Sequence, residues 1–324
     1  MTDSPLLSII ITAYTAERLA DIYELLISIK NQTYVNTETI FVVERSKQLL
    51  ERISSYATEN NIPNLKVLFN DGEPGLSAAR NVGIKAAKGD IIAFVDDDVL
   101  LYPDWAEKMA SAHRDDSIIG VTGPAIPLWE DPSMAWFPQE FYWIISCTAW
   151  DPEDCVKEVR NAWGMNMSFK REAFEKAGIF SNEFGFHKGP MAEDNEFSLR
   201  IKGKTGKKIF YFPNVKLCHR VHKYRLSQKF IIARSYWIGY SRQMMKQLIA
   251  KNSSTSTNVL WQERRLLNRI FTRLFSYMIN SLFTKPVIVS RIARVAVTSL
   301  TFVALGYYSY LMPKFLKINT HSAS

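Results

Sequence analysis

The sequence predicts an α/β fold, a mainly parallel sheet flanked by helices, followed by a helical C-terminal tail. Three observations lead there. Apolar runs of about five residues alternate with helical stretches through residue 112, the pattern of βαβ units. The fourth run, IIAFV at 91–95, goes straight into Asp96, Asp97 and Asp98, and open α/β sheets bind ligands beyond the carboxyl ends of their strands. The charge is also unevenly divided. From Arg225 onward fifteen Lys and Arg face a single acid, Glu263, so this segment is +14 and the first 224 residues −6, within a total of +8.

The elements follow in order. Residues 7–12 read as a buried strand and 20–31 as an amphipathic helix. A strand over 39–43 precedes a helix over 47–59, and a strand over 66–69 precedes a helix over 77–87. The strand at 91–95 leads to a helix over 104–112. Residues 113–190 are less regular and rich in Trp and Pro (WEDPSMAWFPQEFYW), which suits a substrate-facing insert. A helix near 195–202, short strands near 209–212 and 215–218, and a long helix from about 227 close the body. The polar run KNSSTSTN, 251–258, reads as a linker, dividing a domain over 1–250 from a basic, apolar appendage over 251–324.

The appendage points to a membrane. Residues 295–312 carry no charge, the minimum for a spanning helix. Arg291 and Arg294 before them, and Lys314 and Lys317 after them, suit headgroup positions. An amphipathic helix lying on the surface satisfies the same letters. A non-enzymatic nucleic-acid-binding module is disfavoured, because the charge lies on an apolar tail rather than a compact patch with base-reading residues. Cys147, Cys155 and Cys218 have neither CxxC nor metal-site spacing and read as free thiols in a reducing compartment. Residues 1–6 lack a basic n-region, so no secretory signal is expected and the catalytic part is placed on the cytoplasmic face.

Four motifs carry chemistry. Along a strand end, Asp96 and Asp98 share a face while Asp97 points elsewhere. Two such carboxylates suit a hard divalent cation that clamps a diphosphate; a polar strand end that caps the next helix gives the same residues. An EF-hand is excluded by the spacing, and an aspartyl phosphatase would have its DxD after the first strand. In NDGEPGLSAARNVGIKAAKGD, 70–90, Gly72 and Gly75 permit a turn and Ser77 caps a helix. Arg80 and Asn81 then lie in its first turn, within reach of a nucleotide or of the aspartates. In GFHKGPMAEDNEFSLRI, 185–201, a Gly-rich segment suited to a lid precedes Glu193 and Asp194 at a helix start. These acids serve either as dipole partners or as a general base. In KLCHRVHKYR, 216–225, His219 or His222 can ligate metal or donate to phosphate, and Arg220 or Arg225 can neutralise it. A structural histidine is the plainer alternative.

The order of these motifs carries a resemblance. TAY follows the first strand, Glu44 ends the second, GLSAARNxGI precedes GD, DxD follows the fourth strand, and GxNxSF (164–169) precedes the ED pair. Over residues 6–245 the chain resembles the family 2 glycosyltransferases. That implies a GT-A fold and inverting sugar transfer from a nucleotide diphospho-sugar, with Mn2+ or Mg2+ as cofactor. The resemblance implies that Thr12, Tyr14 and Glu44 line the nucleoside pocket, Glu44 standing where the family more often has Asp. It places Ala13, Glu17, Arg80, Asp96, Asp97 and Asn166 in the nucleotide-sugar site, and Asp98, with Asp96 and His219, on the metal. Asp194 becomes the catalytic base, and Glu193 orients acceptor or donor.

FPQEFYW, EVRNAWGMNMSF, RSYWIGYSR and VVERSKQLLERI are further similar to archaeal glucosyl-dolichyl phosphate glucuronosyltransferases of the N-glycosylation pathway. This likeness implies a UDP-sugar donor, with glucuronate as the sugar, and a dolichyl- or polyprenyl-phosphate-linked glycan acceptor at a membrane. Arg160 then answers the glucuronate carboxylate, a surface ion pair being its plainer role. Polyprenyl-phosphate monosaccharide synthases and capsule glycosyltransferases of the same fold are the rival readings.

Overall fold

The computed structural model describes residues 4–148, 155–184, 192–252, 268 and 270–312. Its central strand is β1 (Leu7–Ala13), buried at every position but Thr12. Successive side chains alternate between faces. Leu7, Ile9, Ile11 and Ala13 enter one apolar cluster and Ile10 the other. β1 pairs in parallel with β2 (Thr37–Glu44) and β4 (Ile91–Val95), and β2 with β3 (Leu65–Asn70). Parallel pairs need crossovers, supplied here by α1 (Leu19–Lys30), α2 (Lys47–Glu59) and α3 (Leu76–Ala86). α1 and α2 cover the Ile9 face with Ile22, Leu25, Leu26, Leu49 and Ile53. α3 covers the opposite face with Ala79 and Ile84. Each such Ile or Leu contributes roughly 1.5–3 kcal/mol by leaving water.

β5 (Val99–Leu101) and α4 (Trp105–Ala112) come next in the chain. Beyond β4 the large sheet becomes mixed. β9 (Asn166–Lys170) runs antiparallel to both β4 and β6 (Ile118–Thr122). β10 (Lys208–Tyr211) is parallel to β6, and β8 (Lys157–Val159) antiparallel to β10. The order is β3-β2-β1-β4-β9-β6-β10-β8. β6 and β9 are thus regular strands within the segment expected to be irregular. Both are short and buried on both faces, so neither shows the alternation that marks a strand. α5 (Arg171–Ala177) and α6 (Glu193–Thr205) join α3 on its face of the sheet through Phe174, Phe197 and Ile201. A second sheet has the order β5-β11-β7, with β7 at Ala125–Trp129 and β11 at Leu217–Val221.

The chain forms two compact units, one of Met1–Leu128 with Asp151–Arg220, the other of Trp129–Trp150 with Val221–Ser324. In the second, α7 (Gln228–Asn252) and α9 (Pro286–Ser309) are packed together, and α8 (Phe275–Ser281) follows a π-helical turn at Ile270–Leu274. Phe137, Phe141 and Ile144 of the aromatic insert are core residues here, clustered with Ile231, Ile292 and Val295. Residues 251 and 252 of the expected linker belong to α7, and its remainder lies outside the described residues, as do Lys314 and Lys317. All three cysteines are free thiols.

Candidate active site

The carboxyl ends of neighbouring strands build one side of the site. Ala13 lies opposite Val43, next to Glu44, and Ile11 opposite Val95, next to Asp96. Thr12 is half-buried and Ala13 buried at the end of β1, and Tyr14 just beyond is 54% exposed. Thr15 Oγ1 accepts from Glu17 N at 3.2 Å and starts a 3-10 turn over Ala16–Arg18, with Glu17 exposed. The buried Glu44 carboxylate accepts the Gly75 N–H at 2.7 Å. Gly75 is the N-cap of α3 at φ 121, a conformation that favours glycine. Ser77 is therefore not the cap: it lies inside α3 and donates to the Phe184 carbonyl at 2.7 Å.

The aspartates sit between two cationic or imidazole partners. Asp98 is fully buried, Asp97 nearly so, and the Asp96 side chain is 33% exposed. His219 Nε2 lies 3.3 Å from Asp98 Oδ1 and 3.9 Å from Asp96 Oδ2. β11 brings it there, since His219 pairs with Val99 and the Arg220 N–H donates to the Asp98 carbonyl at 2.9 Å. On the other side Arg18 Nη1 is 2.8 Å from Asp97 Oδ1 and 3.0 Å from Asp98 Oδ2. Burial, and then the neighbouring Asp98 charge, push the Asp97 carboxyl well above its ordinary value, with Arg18 opposing them.

Asp96, Asp98 and His219 each offer one ligand atom, all within 4.8 Å of one another. Two carboxylate oxygens and an imidazole nitrogen fit Mn2+, and the carboxylates also fit Mg2+. The open face at Asp96 leaves room for oxygen ligands from outside.

Arg80 joins this cluster to the ED pair. It is 2% exposed, with Nη2 3.6 Å from Asp96 Oδ1 and Nη1 3.0 Å from Glu193 Oε1. Nη2 also donates to the Gly164 carbonyl at 3.2 Å. The Gly164 N–H in turn donates to Asp194 Oδ2 at 3.0 Å. Asp194 Oδ1 accepts from Asn195 N at 2.7 Å and Nδ2 at 2.9 Å. Burial first, then Asp194, raise the Glu193 carboxyl, and Arg80 opposes both. Of the two acids that open α6, Glu193 thus faces inward and the half-buried Asp194 stays accessible.

Other expected residues take supporting positions. Asn166 is fully buried, and its side-chain amide meets Trp105 Nε1 at 3.1 Å and the Val215 carbonyl at 2.8 Å. It ties β9 to α4 and to the approach to β11. Asn81 donates to Phe180 O and accepts from Phe180 N, anchoring the loop after α5. Arg160 is half-buried beyond β8, with Nε donating to Asn161 Oδ1 at 3.2 Å. His222 lies 3.6 Å from Glu130, so the described metal-type cluster uses His219. Arg220 is held by Asp21 and Glu24, and Arg225 donates to the Ile145 carbonyl at 3.1 Å. The expected lid, 185–191, lies outside the described residues. Arg18 and Gly164 were not foreseen as members of the site. Two buried acids beside a third demand a cation, but sequence spacing gives no hint that residue 18 supplies it.

Residues 8–178 match the model of the family described as Glycosyl transferase family 2. The chain is 30% identical over 250 residues to the glucosyl-dolichyl phosphate glucuronosyltransferase of Haloferax volcanii, covering 76% of this chain and 79% of that protein. It is 35% identical over 116 residues to the putative glycosyltransferase EpsH of Bacillus subtilis, covering 36% of this chain and 32% of that one. Among solved structures it is similar to the mannosyltransferase PcManGT from Pyrobaculum calidifontis in complex with GDP-Man and Mn2+. The TM-score there is 0.60 at 16% identity, covering 92% of this chain and 88% of that chain. GalNAc-T7 with UDP, GalNAc and Mn2+ matches at TM-score 0.51 and 18% identity, over 67% of this chain and 43% of that chain. These two likenesses show the GT-A fold.

Proposed function

Because the chain belongs to glycosyl transferase family 2, we propose that it transfers glucuronate, with inversion, from a UDP-sugar to a dolichyl- or polyprenyl-phosphate-linked glycan. The setting is lipid-linked glycan assembly for N-glycosylation or a surface polymer, on the cytoplasmic face of the membrane. The observation that carries the reading is the continuous link from the Asp96–Asp98–His219 cluster through Arg80 to Glu193, Gly164 and Asp194. The Haloferax relative, whose name gives this donor sugar and acceptor class, supports the finer assignment.

Asp96, Asp98 and His219 would hold Mn2+ or Mg2+, which would supply positive charge to the departing diphosphate. Thr12, Ala13, Tyr14 and Glu44 lie at the strand ends, and Glu17 in the turn after β1, where a nucleoside binds in open α/β sheets. Asp194 takes the proton of the acceptor hydroxyl. Its two oxygens are fixed by Gly164 and Asn195, so the carboxylate is oriented before the acceptor arrives. Glu193 acts through Arg80 and positions rather than reacts. Arg80 keeps Asp96 and the ED pair at a set separation, and Asp97 with Arg18 steadies Asp98.

A panel of UDP- and GDP-sugars, with Mn2+ or with EDTA, tests the reading by thermal shift and by transfer to lipid-linked acceptors. UDP-glucuronate with Mn2+ is expected to give the largest shift and the only efficient transfer. Asp98→Ala is expected to remove the metal-dependent part of UDP binding. Equal UDP affinity with Mn2+ and with EDTA would overturn the metal assignment, and preference for a GDP-sugar would overturn the donor assignment.

A further inference from the structure

We propose that α8 and α9 dock the protein on an anionic lipid surface by lying in its headgroup layer, and that α9 does not cross the bilayer. This deepens the membrane setting of the proposed function and rests on it. By length and composition α9 qualifies as a span: its 24 residues rise about 36 Å, against about 30 Å of hydrocarbon. Its packing argues otherwise. Gly239 of α7 and Gly306 of α9 lie at a close crossing, where a Cβ on the first would collide with the Val303 carbonyl and on the second with the Tyr236 carbonyl. Gln228 Nε2 donates to Thr298 Oγ1 at 2.9 Å, and the Tyr236 and Ser309 hydroxyls meet at 2.7 Å. The half of α9 from Thr298 to Ser309 therefore carries α7 with it.

α7 is not a membrane-crossing helix. It bears Lys229, Arg234, Arg242 and Lys246 among its apolar residues. A crossing α9 would draw these cations into hydrocarbon, where a charged side chain is strongly disfavoured.

The face turned away from α7 fits an interface. Phe275, Ile279 and Leu282 are exposed on and just after α8, Phe283 is 93% exposed, and Val287, Val297 and Tyr308 continue along α9. Arg273, Lys285, Arg291 and Arg294 lie among them, and residues 268–312 contain no acid. Large apolar side chains interleaved with cations suit anionic headgroups over an acyl boundary. A second copy of this surface would bring like charge against like charge, which disfavours self-association.

The test uses the full chain and phosphatidylcholine vesicles, with and without phosphatidylglycerol, in flotation at low and high salt. Binding is expected to require phosphatidylglycerol and to fall with salt. Phe283→Ser is expected to weaken it about tenfold and Arg294→Gln about fivefold. Sodium carbonate at pH 11 is expected to release the protein from cell membranes. UDP-glucuronate hydrolysis in solution is expected to stay unchanged in both variants. Carbonate-resistant retention would overturn the proposal in favour of a span. Salt-insensitive binding to neutral vesicles would overturn it, as would a dimer that Phe283→Ser dissociates without any vesicle binding. Normal flotation without donor hydrolysis in any form of the protein would sink the enzymatic assignment and leave the docking surface standing.

Discussion

Replacing Arg80 with methionine removes the guanidinium that pairs with both Asp96 and Glu193. Methionine keeps an apolar stem against Phe94 and Phe180, whose ring centroids lie 5.9 and 5.7 Å from the guanidinium carbon. The loss is therefore mainly electrostatic. Breaking a buried ion pair costs about 3–5 kcal/mol, because the surviving carboxylate stays buried without its partner. Glu193 can relieve part of this by taking up a proton. Burial and Asp194 already raise its carboxyl above the ordinary value, and Arg80 opposes them, so removing Arg80 raises it further. A carboxyl raised in the folded state keeps its contribution below the unfolded value and loses it as pH climbs through the folded one. The destabilisation of Arg80→Met is thus expected to be smallest near pH 5 and to reach about 3–5 kcal/mol at pH 8. Urea unfolding of both proteins from pH 5 to 8 measures it, with m-values checked for constancy. A loss below about 1 kcal/mol at pH 8, the range of an exposed pair, would refute the electrostatic link. So would a loss of equal size at both pH values.

Asp194→Asn is expected to lower transfer about 10²–10⁴-fold, the range of a lost general base, while UDP affinity stays within about twofold; near-normal single-turnover transfer would remove the base assignment. His113 is buried beside Ser168, 2.7 Å away, and burial pushes it down to about 3, with Lys170 adding to the shift. Its neutral form supports the fold above the unfolded value near 6.5, and this support fades as pH falls towards 3. His113→Gln is then expected to reduce the slope of stability against pH by about 1.4 kcal/mol per unit between these limits. Unchanged slopes in acid titrations of unfolding would contradict that. Arg160→Ala is expected to cut kcat/KM for UDP-glucuronate about tenfold more than for UDP-glucose, as a lost charge-assisted hydrogen bond would. Equal losses with the two donors would separate Arg160 from the sugar carboxylate.

What could be read in advance depended on how local the signal was. β1 to β4 were legible because short apolar runs alternate with helices whose apolar positions recur at helical spacing. β6 and β9 were not, since strands buried on both faces lose alternation and resemble any apolar segment. Asp96, Asp98, Glu193 and Asp194 stood out because acids at a strand end and a helix start are chemically conspicuous. Arg80 was singled out with them, but its ion pair with Glu193 and the part played by Arg18 were not legible. Arg18 lies 79 residues from Asp97 in sequence and Arg80 lies 113 from Glu193, distances that only the strand order closes. Asn166 came through the GxNxSF resemblance. Its burial, and the saturation of its amide by Trp105 and Val215, follow from the antiparallel insertion of β9, which no local pattern announced.

The partition of charge explains why the two cations sit where they do. Arg18 pairs with Asp97 and Asp98, and Arg80 with Asp96 and Glu193, so each guanidinium meets two of the carboxylates. Five carboxylates, Asp96 to Asp98 with Glu193 and Asp194, against two guanidiniums leave a formal charge of −3 when every acid is ionised and His219 is neutral. A nucleotide diphosphate approaching that site alone would be repelled. A divalent cation held by Asp96, Asp98 and His219 would lower the formal charge to −1, so on the proposed reading donor binding would depend on cation binding through charge. Asp194 is oriented by the backbone N–H groups of Gly164 and Asn195, which on the proposed reading would leave its carboxylate available to an acceptor hydroxyl.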